Sequence, residues 1–488
     1  MSRAPLAAVL ALLALAWWAT PSHPQGDSPA QALLVEATSP ADLRARLSAQ
    51  AEARLATDRA GAGEAWHYAG WSHWRAGQPD SAILAWRRGL ELRGEAQDRY
   101  DLADALLERR SPGDIDEAVA MLETGLPEVQ ASSANAASWY RALLGWGHLL
   151  AGDEDKARER FAEMEPELTK RPLWRYRMGR AALTGSDTRT AVLLLRTLAV
   201  ASRGQDAEVM RLLESAAQRL GQPDAMLRDL TERIAARDRI EDMVVQRVNG
   251  RRIKFSASDG YPLSGVLLES KRSGRHRTAI VVLAPEDTLA DFDSLGIALR
   301  ESGLHTLLLQ PRGSGWSSAP ACPLPAAWRG REQLMLERTA LDVGEAVRAV
   351  RLATRNADTT AVVVAASRSV ALSGALAAGR DPRVRALVLL SPDPDAVDRG
   401  TMLAAIARRP LPLFLQQTPE DFPNAALMER TYQAADRAAS RLSEARVPGR
   451  GATAFRYDAR VTPRFVVWLE SALAPAKKAT PPARPRKG

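Results

Sequence analysis

Two periodicities divide the chain. From roughly residue 40 to 238, apolar residues recur every three or four positions among Ala, Leu, Arg and Glu, and no stretch alternates apolar with polar as a strand would. Beyond Asp242 the pattern becomes short apolar runs separated by turn residues and helical stretches, the signature of a mostly parallel α/β sheet. Strands are expected over 245–258 and 261–270, joined at Asp259-Gly260, and over 278–283, 305–310, 360–366, 383–390, 412–416 and 452–457. Helices are expected near 291–302, 336–353, 369–379, 424–445 and 464–473. The two halves are expected to hold independent cores, joined near residues 238 to 245.

The helical half has an internal period. Gly70, Gly145 and Gly179 are each followed twelve residues later by an alanine (Ala82, Ala157, Ala191) and four residues after that by a bulky apolar residue (Trp86, Phe161, Leu195). The same phase picks out Ala118 with Leu122, and Ala225, so successive alanines stand 36, 39, 34 and 34 residues apart. Small residues let two helices approach closely, and the bulky residue a turn later is expected to fill the gap to the next unit. Turns fall between at Gly77-Gln-Pro-Asp, Ser111-Pro-Gly-Asp, Gly152-Asp-Glu-Asp and Gly221-Gln-Pro-Asp. With Trp66, Gly70, Ala82 and Trp86 in place, residues 40–238 resemble an all-α tetratricopeptide-repeat solenoid of about five units. His73 and His148 hold the same repeat position and are expected to pack between helices, because equivalent positions lie on separate layers.

The second half carries a different resemblance. In the run Ala361-Val-Val-Val-Ala-Ala-Ser-Arg-Ser, Ser367 stands between a strand and a helix, with small residues, Ala365 and Ser369, two positions to either side. This is similar to the nucleophile elbow G-x-S-x-G of the α/β-hydrolase superfamily, with Ala and Ser for both glycines. Upstream, Ile280-Val-Val-Leu-Ala-Pro, then 292–303, then Leu307-Leu-Leu-Gln-Pro-Arg-Gly-Ser-Gly-Trp-Ser-Ser resemble that superfamily's strand, helix and D-x-R-G-x-G-x-S turn. Arg312, Gly313, Gly315 and Ser317 match it. The resemblance covers nearly all of 245–474 and implies an α/β-hydrolase fold, a mostly parallel sheet with flanking helices.

The chemistry implied by that fold is incomplete here. A serine hydroxyl needs a positioned base, which the superfamily supplies as a histidine on the loop after the last strand. The six histidines are His23, His67, His73, His148, His276 and His305, so none follows residue 305. Arg460 or a neighbour stands in that loop instead, and arginine stays protonated. His276 and His305 precede their strands, and a strand of five or six residues puts them ~17–20 Å from the reacting edge. Glu420 and Asp421 match the place of the acid that orients the histidine. The oxyanion donors would be the backbone groups of Glu286 and Arg368. Glu286 and Asp287 bring carboxylates to a loop where an oxyanion needs donors, and Arg368 would partly compensate.

The ends of the chain and its charge add a setting. Arg3 followed by the apolar run Leu6 to Ala19 reads as a secretory signal over 1–23. It is shorter than the ~20 residues of a membrane span, and an uncleaved anchor is the alternative fate. Residues 24–39 read as a linker. Net charge is +8, of which five come from Lys477, Lys478, Arg484, Arg486 and Lys487 in the Pro-rich tail 475–488, read as disordered. Cys322 is the only cysteine, so no intramolecular disulfide and no thiolate metal cluster is available. No metal, cofactor or nucleic-acid partner is expected.

The sequence therefore implies an exported protein, periplasmic or secreted, that binds a peptide or protein partner in the repeat groove. Trp71, Trp74 and Trp146, which lie off the repeat positions, are its expected aromatic anchors. The α/β domain is expected to be inactive, a pseudoenzyme. The alternative is a serine hydrolase, an esterase or peptidase using Ser367 with an unconventional base.

Overall fold

A computed structural model describes residues 28–163, 172–185, 187–271, 276–285, 287–320, 332–356, 358, 360–365, 370–446 and 451–474. The N-terminal apolar segment and the basic tail lie outside these residues.

The first half is helical: α1 (Pro29–Glu36), α2 (Pro40–Arg54), α3 (Arg59–Arg75), α4 (Pro79–Arg93), α5 (Ala96–Arg109), α6 (Asp114–Ser132), α7 (Ala134–Ala151), α8 (Glu154–Ala162), α9 (Pro172–Thr184), α10 (Thr188–Ala201), α11 (Ala207–Arg219) and α12 (Pro223–Arg247). Short polar side chains start many of them. Ser39, Asp58, Asp153, Asp187 and Asp206 each accept a backbone N–H from the first turn, satisfying a donor the helix leaves open. Gly94 and Gly152 end α4 and α7 in the left-handed conformation that glycine adopts without strain. Successive helices pack on one another, α3 on α4, α7 on α8 and α10 on α9.

The glycines of the sequence period mark where those pairs touch. A Cβ on Gly70 would lie 2.5 Å from the Trp86 indole nitrogen, one on Gly145 3.1 Å from Phe161, and one on Gly179 2.9 Å from Leu195. The bulky residue thus seats on the glycine of its own pair, rather than filling the gap to the next unit. The period is a close-approach rule within each pair.

The second half is an eight-stranded sheet in the order β1-β2-β4-β3-β5-β6-β7-β8. Its strands are β1 (Arg251–Ser256), β2 (Pro262–Leu268), β3 (Thr278–Val282), β4 (His305–Gln310), β5 (Ala361–Ala365), β6 (Val384–Leu390), β7 (Leu413–Gln417) and β8 (Arg441–Glu444). β2 runs antiparallel to both β1 and β4, and the remaining neighbours are parallel. One face is covered by α14 (Glu332–Thr354), α15 (Ala371–Arg380), α16 (Arg399–Arg408) and α17 (Ala425–Ala434). The other is covered by α13 (Asp293–Glu301), the short α18 (Ala454–Tyr457) and α19 (Val461–Ala472), together with Val244 and Val248 at the end of α12. Arg312 is buried and bonds Asp342 at 2.7 Å twice and Asp259 at 2.7 and 2.9 Å, tying the β1–β2 turn to α14. The expected helical half and mostly parallel α/β half are both present.

Several expected boundaries are wrong, each for a physical reason. The stretch expected as a strand from 245 is helical to Arg247, and β1 begins only after a turn in which Asn249 takes φ +49°. The helix expected over 424–445 ends at Ala434. The last strand is β8, while 452–457, expected as that strand, forms a 3-10 turn and α18. β8 reads Arg-Leu-Ser-Glu and pairs only with β7, so it is an edge strand without an apolar run. Ala454 and Phe455, whose apolar character suggested a strand, pack in the core beside Phe465. α16 was not expected at all.

The halves share structure. The junction expected at 238–245 lies inside α12, which contributes Met226 and Leu230 to a helical core and Val244 to the sheet core. The stretch expected as a linker carries α1, whose Ala30 and Leu34 are buried in one cluster with Val397. α1 rests on α16 so closely that a Cβ at Gly400 would run into the carbonyl oxygens of Ala37 and Leu34. Arg75 of α3 reaches across to Asp398 at 2.6 Å and to Asp395. Burial pushes the Asp398 carboxyl up to about 6, because the opposing Arg75 charge is shared with Asp395 and Glu332.

Two expectations follow. Gly400→Ala should destabilise the chain by about 1–3 kcal/mol, since backbone on both sides must move to admit a methyl group. Urea unfolding measures this, and an unchanged midpoint would show that α1 is not seated as described. The second concerns pH. The folded chain holds the Asp398 proton more tightly than the unfolded chain, so stability from this group is complete below about pH 4 and is lost as pH rises through about 6. Asp398→Asn should remove that part of the slope, read as the difference between variant and parent melting temperatures across pH 4–7.5.

Candidate functional site

Of the residues named by the resemblance, Asp421 stands in the turn that follows β7, at the C-terminal edge of the sheet. β5 is buried along its length, and α15 packs on it so tightly that a Cβ at Gly374 would lie 2.6 Å from that of Ala365. Ala365 and Gly374 are thus required to be small where the strand and the helix touch, while Ser369 in the connection between them lies outside the described residues. Ser367 and Arg368 within that connection, and Glu286 on the loop after β3, lie outside the described residues. On that loop Asp287 turns its carboxylate back to accept the Ala284 N–H at 2.6 Å.

Asp421 follows β7 in a 3-10 turn and is only 2% exposed. Its Oδ2 accepts the Ser391 hydroxyl at 2.7 Å, the Thr418 N–H at 2.8 Å and the Thr418 hydroxyl at 3.1 Å. The Ser391 oxygen in turn accepts the Gly451 N–H at 3.0 Å. Ser391 ends β6 with φ +49°, a left-handed conformation uncommon for a residue with a side chain. One carboxylate and one hydroxyl therefore hold together the segments that follow β6, β7 and β8. Glu420 lies in the same turn, and its side chain is outside the described residues.

No imidazole stands in the segment after β8. Arg460 instead bonds Asp458 at 2.8 and 2.6 Å, and Asp458 also accepts the Arg446 N–H at 2.9 Å. The Arg460 guanidinium holds the Asp458 carboxyl well below the usual carboxylate range. His276 and His305 lie together at the other edge of the sheet, ring centroids 4.8 Å apart, with His305 the first residue of β4. His305 Nδ1 accepts the Ser270 N–H at 3.2 Å.

The aromatic anchors expected in the helical half are packed inside it. Trp146 is 1% exposed, Trp74 is buried in the same cluster, and Trp71 is half-buried with its indole N–H donated to Asp101 at 3.0 Å. The reading of Trp74 and Trp146 as exposed groove residues is corrected, and Trp71 is partly covered. Rings at helical spacing fill the stack, and the guanidinium of Arg177 lies 5.3 Å from the Trp146 ring centroid and 4.8 Å from that of Trp174. Arg177 reaches from α9 to Asp104 and Glu108 on α5 at 2.9 and 2.6 Å. His73 bonds Gln78 at 2.7 Å, and His148 is buried, so neither meets the other.

Sequence reasoning missed a buried pair on these helices. His67 Nδ1 lies 2.6 Å from Asp98, which Arg93 also bonds at 3.1 and 2.9 Å. Burial would lower the His67 pKa, but the Asp98 carboxylate outweighs it and raises it. The available signal was the spacing of Asp98, Asp101 and Asp104, three positions apart along one helix. Among the described residues, no group of three or more His, Cys, Asp or Glu side chains is arranged to hold a metal ion.

No family model matches the chain, and no curated protein matches it. Solved structures do. An esterase from Pyrococcus furiosus is similar over 46% of this chain and 92% of its own, at 13% identity and a TM-score of 0.36. A soluble variant of monoglyceride lipase from Saccharomyces cerevisiae is similar over 46% and 96%, at 12% identity and a TM-score of 0.35. A 2,6-dihydroxy-pseudo-oxynicotine hydrolase is similar over 70% of this chain and 88% of its own, at 11% identity and a TM-score of 0.36.

Proposed function

We propose that this is an exported binding or assembly protein in which tetratricopeptide-like helix pairs are joined to an α/β-hydrolase-fold domain that does not carry out serine-hydrolase chemistry. The observation that carries the reading is that no histidine follows residue 305 to take up the base's place beside Asp421. Asp421 Oδ2 accepts instead from Ser391 and Thr418. A hydroxyl that both donates to the carboxylate and accepts from Gly451 acts as a staple between loops. With Arg460 paired to Asp458 and no histidine after residue 305, the segment that would bring the base supplies no imidazole.

The repeat-like reading is supported by the three glycines that receive a bulky side chain from the following helix. Because Trp74 and Trp146 are buried, the partner, a peptide or protein, would meet other surfaces of the helical half. Export, with the N-terminal segment removed or kept as an anchor, rests on the apolar run that precedes α1.

Purified protein should neither hydrolyse short-chain activated esters above a Ser367→Ala control nor accept a fluorophosphonate probe. Stoichiometric labelling at Ser367 would overturn the inactive reading. Asp421→Ala should cost about 1–3 kcal/mol of stability for each buried donor left without its acceptor. A catalytic acid would give the opposite result, lost turnover with an unchanged melting temperature.

A further inference from the structure

His67 lies where α3, α4 and α5 meet, in a space that two glycines make. A Cβ at Gly63 of α3 would run into the Arg93 stem, and one at Gly89 of α4 would lie 3.5 Å from the His67 backbone nitrogen and 3.6 Å from Asp98 Oδ1. The missing side chains let the three helices close on the imidazole and on Asp98 and Asp101, all of them buried. On the other side of α3, α2 packs with Leu43, Leu47 and Ala51. Within residues 40–109, all of them described, the charged groups acting on the ring are Asp98 and Asp101 of α5 and Arg93 at the end of α4. Glu64, three residues earlier on the ring's own helix, is buried as well.

The ring nitrogen stands between two carboxylates. Asp98 Oδ1 is 2.6 Å from His67 Nδ1, while Asp98 Oδ2 accepts from Arg93 at 3.1 and 2.9 Å. Asp101 Oδ2 is 4.0 Å from the same nitrogen. Asp101 also accepts from two neutral groups, the Trp71 indole N–H at 3.0 Å and the Gln97 amide at 3.0 and 3.1 Å. A carboxylate taken out of water is stable when an opposing charge stands against it. Arg93 bonds Asp98, and the imidazolium is the positive group adjacent to both acids. Burial and the Arg93 charge would each lower the His67 pKa, but Asp98 and Asp101 outweigh them and raise it. Burial would raise the Asp98 carboxyl, but His67 and Arg93 outweigh it and lower it. Both directions belong to an ion pair rather than a neutral one.

We propose that His67 is a proton-operated latch, in which the imidazolium draws α5 against α3 and loss of its proton loosens the two helices. The neutral ring can keep an Nδ1–H bond to Asp98, so what is withdrawn is the charge between two buried carboxylates one turn apart on α5. Folded His67 holds its proton more tightly than the unfolded chain does. The latch is therefore closed below about pH 6.5 and opens as pH rises through the folded value. Its effect extends along α3, because His67, Trp71 and Arg75 follow one another at four-residue spacing and so share a face. Trp71 bonds Asp101, and Arg75 bonds Asp398 of the sheet half at 2.6 Å. The state of one ring thus bears on the docking of the two halves through a single helix. The latch is independent of Asp421 and Ser367, so it stands whether or not the sheet domain is inert.

The test uses the full chain with isotope-labelled histidine rings, followed by nuclear magnetic resonance. The His67 signal, identified by its loss in His67→Gln, should still be that of a protonated ring at about pH 6.5 and titrate above it. In Asp98→Asn the ring should release its proton about ten-fold more readily. Amide hydrogen exchange, corrected for the intrinsic effect of pH, should be about ten-fold faster across α3 and α5 at about pH 8.5 than at about pH 6 in the parent, and equal at the two in His67→Gln. The melting-temperature difference between parent and His67→Gln should shrink over the same range, the Asp398 contribution being common to both chains. Should His67→Gln not fold, Asp98→Asn supplies both the assignment, through its shifted ring signal, and the control for exchange. A neutral His67 ring at about pH 6.5 in the parent, exchange of α3 and α5 that is the same at both pH values, or a pH effect that persists in the variants would each overturn the proposal.

Discussion

A single helix belongs to two cores. α12 is 25 residues long, about 37 Å at the usual rise, and its first turns pack with α10 and α11 while its last turn closes one face of the sheet. The polar groups along its middle fix how it is rotated. Asp238 accepts from Arg203 at 3.0 Å and from the Trp316 indole N–H at 3.1 Å, and Glu241 accepts from Arg203 and Arg237. At its end the Val248 carbonyl accepts from Arg300 of α13 at 2.5 Å. A small rotation of α12 would break bonds to both halves at once. The Arg203 and Arg237 guanidinium groups and the seating of Trp316 in the β4 turn all depend on this one orientation.

The elements that were legible in the sequence are those whose signal is local. Val362 to Val364 form a buried strand because each residue faces apolar neighbours on one side or the other, and the triplet says so directly. The repeating glycines were equally visible, since a missing Cβ is a demand of backbone approach and needs no knowledge of distant chain. β8 was invisible because an edge strand with one neighbour needs little apolar surface, and Arg441 and Glu444 are free to remain in solvent. The change of periodicity near 238–245 is real, and the helix that spans it packs with the helical core before that stretch and with the sheet core after it.

The candidate site divides along the same line. The absence of a histidine after residue 305 could be read directly, and so could the positions of Asp421 and Arg460. What Asp421 does could not be read, because its partner Ser391, and Gly451 that donates to that serine, come from segments 30 residues away on either side and have no shared motif. The indoles of the helical half show the converse error. Trp74 and Trp146 lie off the repeat's packing positions, yet stacking between neighbouring helices buries them, with Arg177 placed against Trp146 by its bonds to Asp104 and Glu108. Fully buried charge of this kind is tolerated only when it is paired, and the pairing connects residues about 70 positions apart.

The seat of α1 bears on the order in which the chain can acquire its structure. α1 is eight residues long, too short to hold helical structure by itself in water. Its apolar side is buried only when Val397 and α16 are present, more than 350 residues later in synthesis. Its first contacts, with α2 and α3, can form early, but the final ones close a loop that contains almost the whole protein. α1 therefore reaches its final packing only when the sheet is nearly complete. Losing α16 would take a packing surface from the opposite end of the chain, more than 350 residues away in sequence.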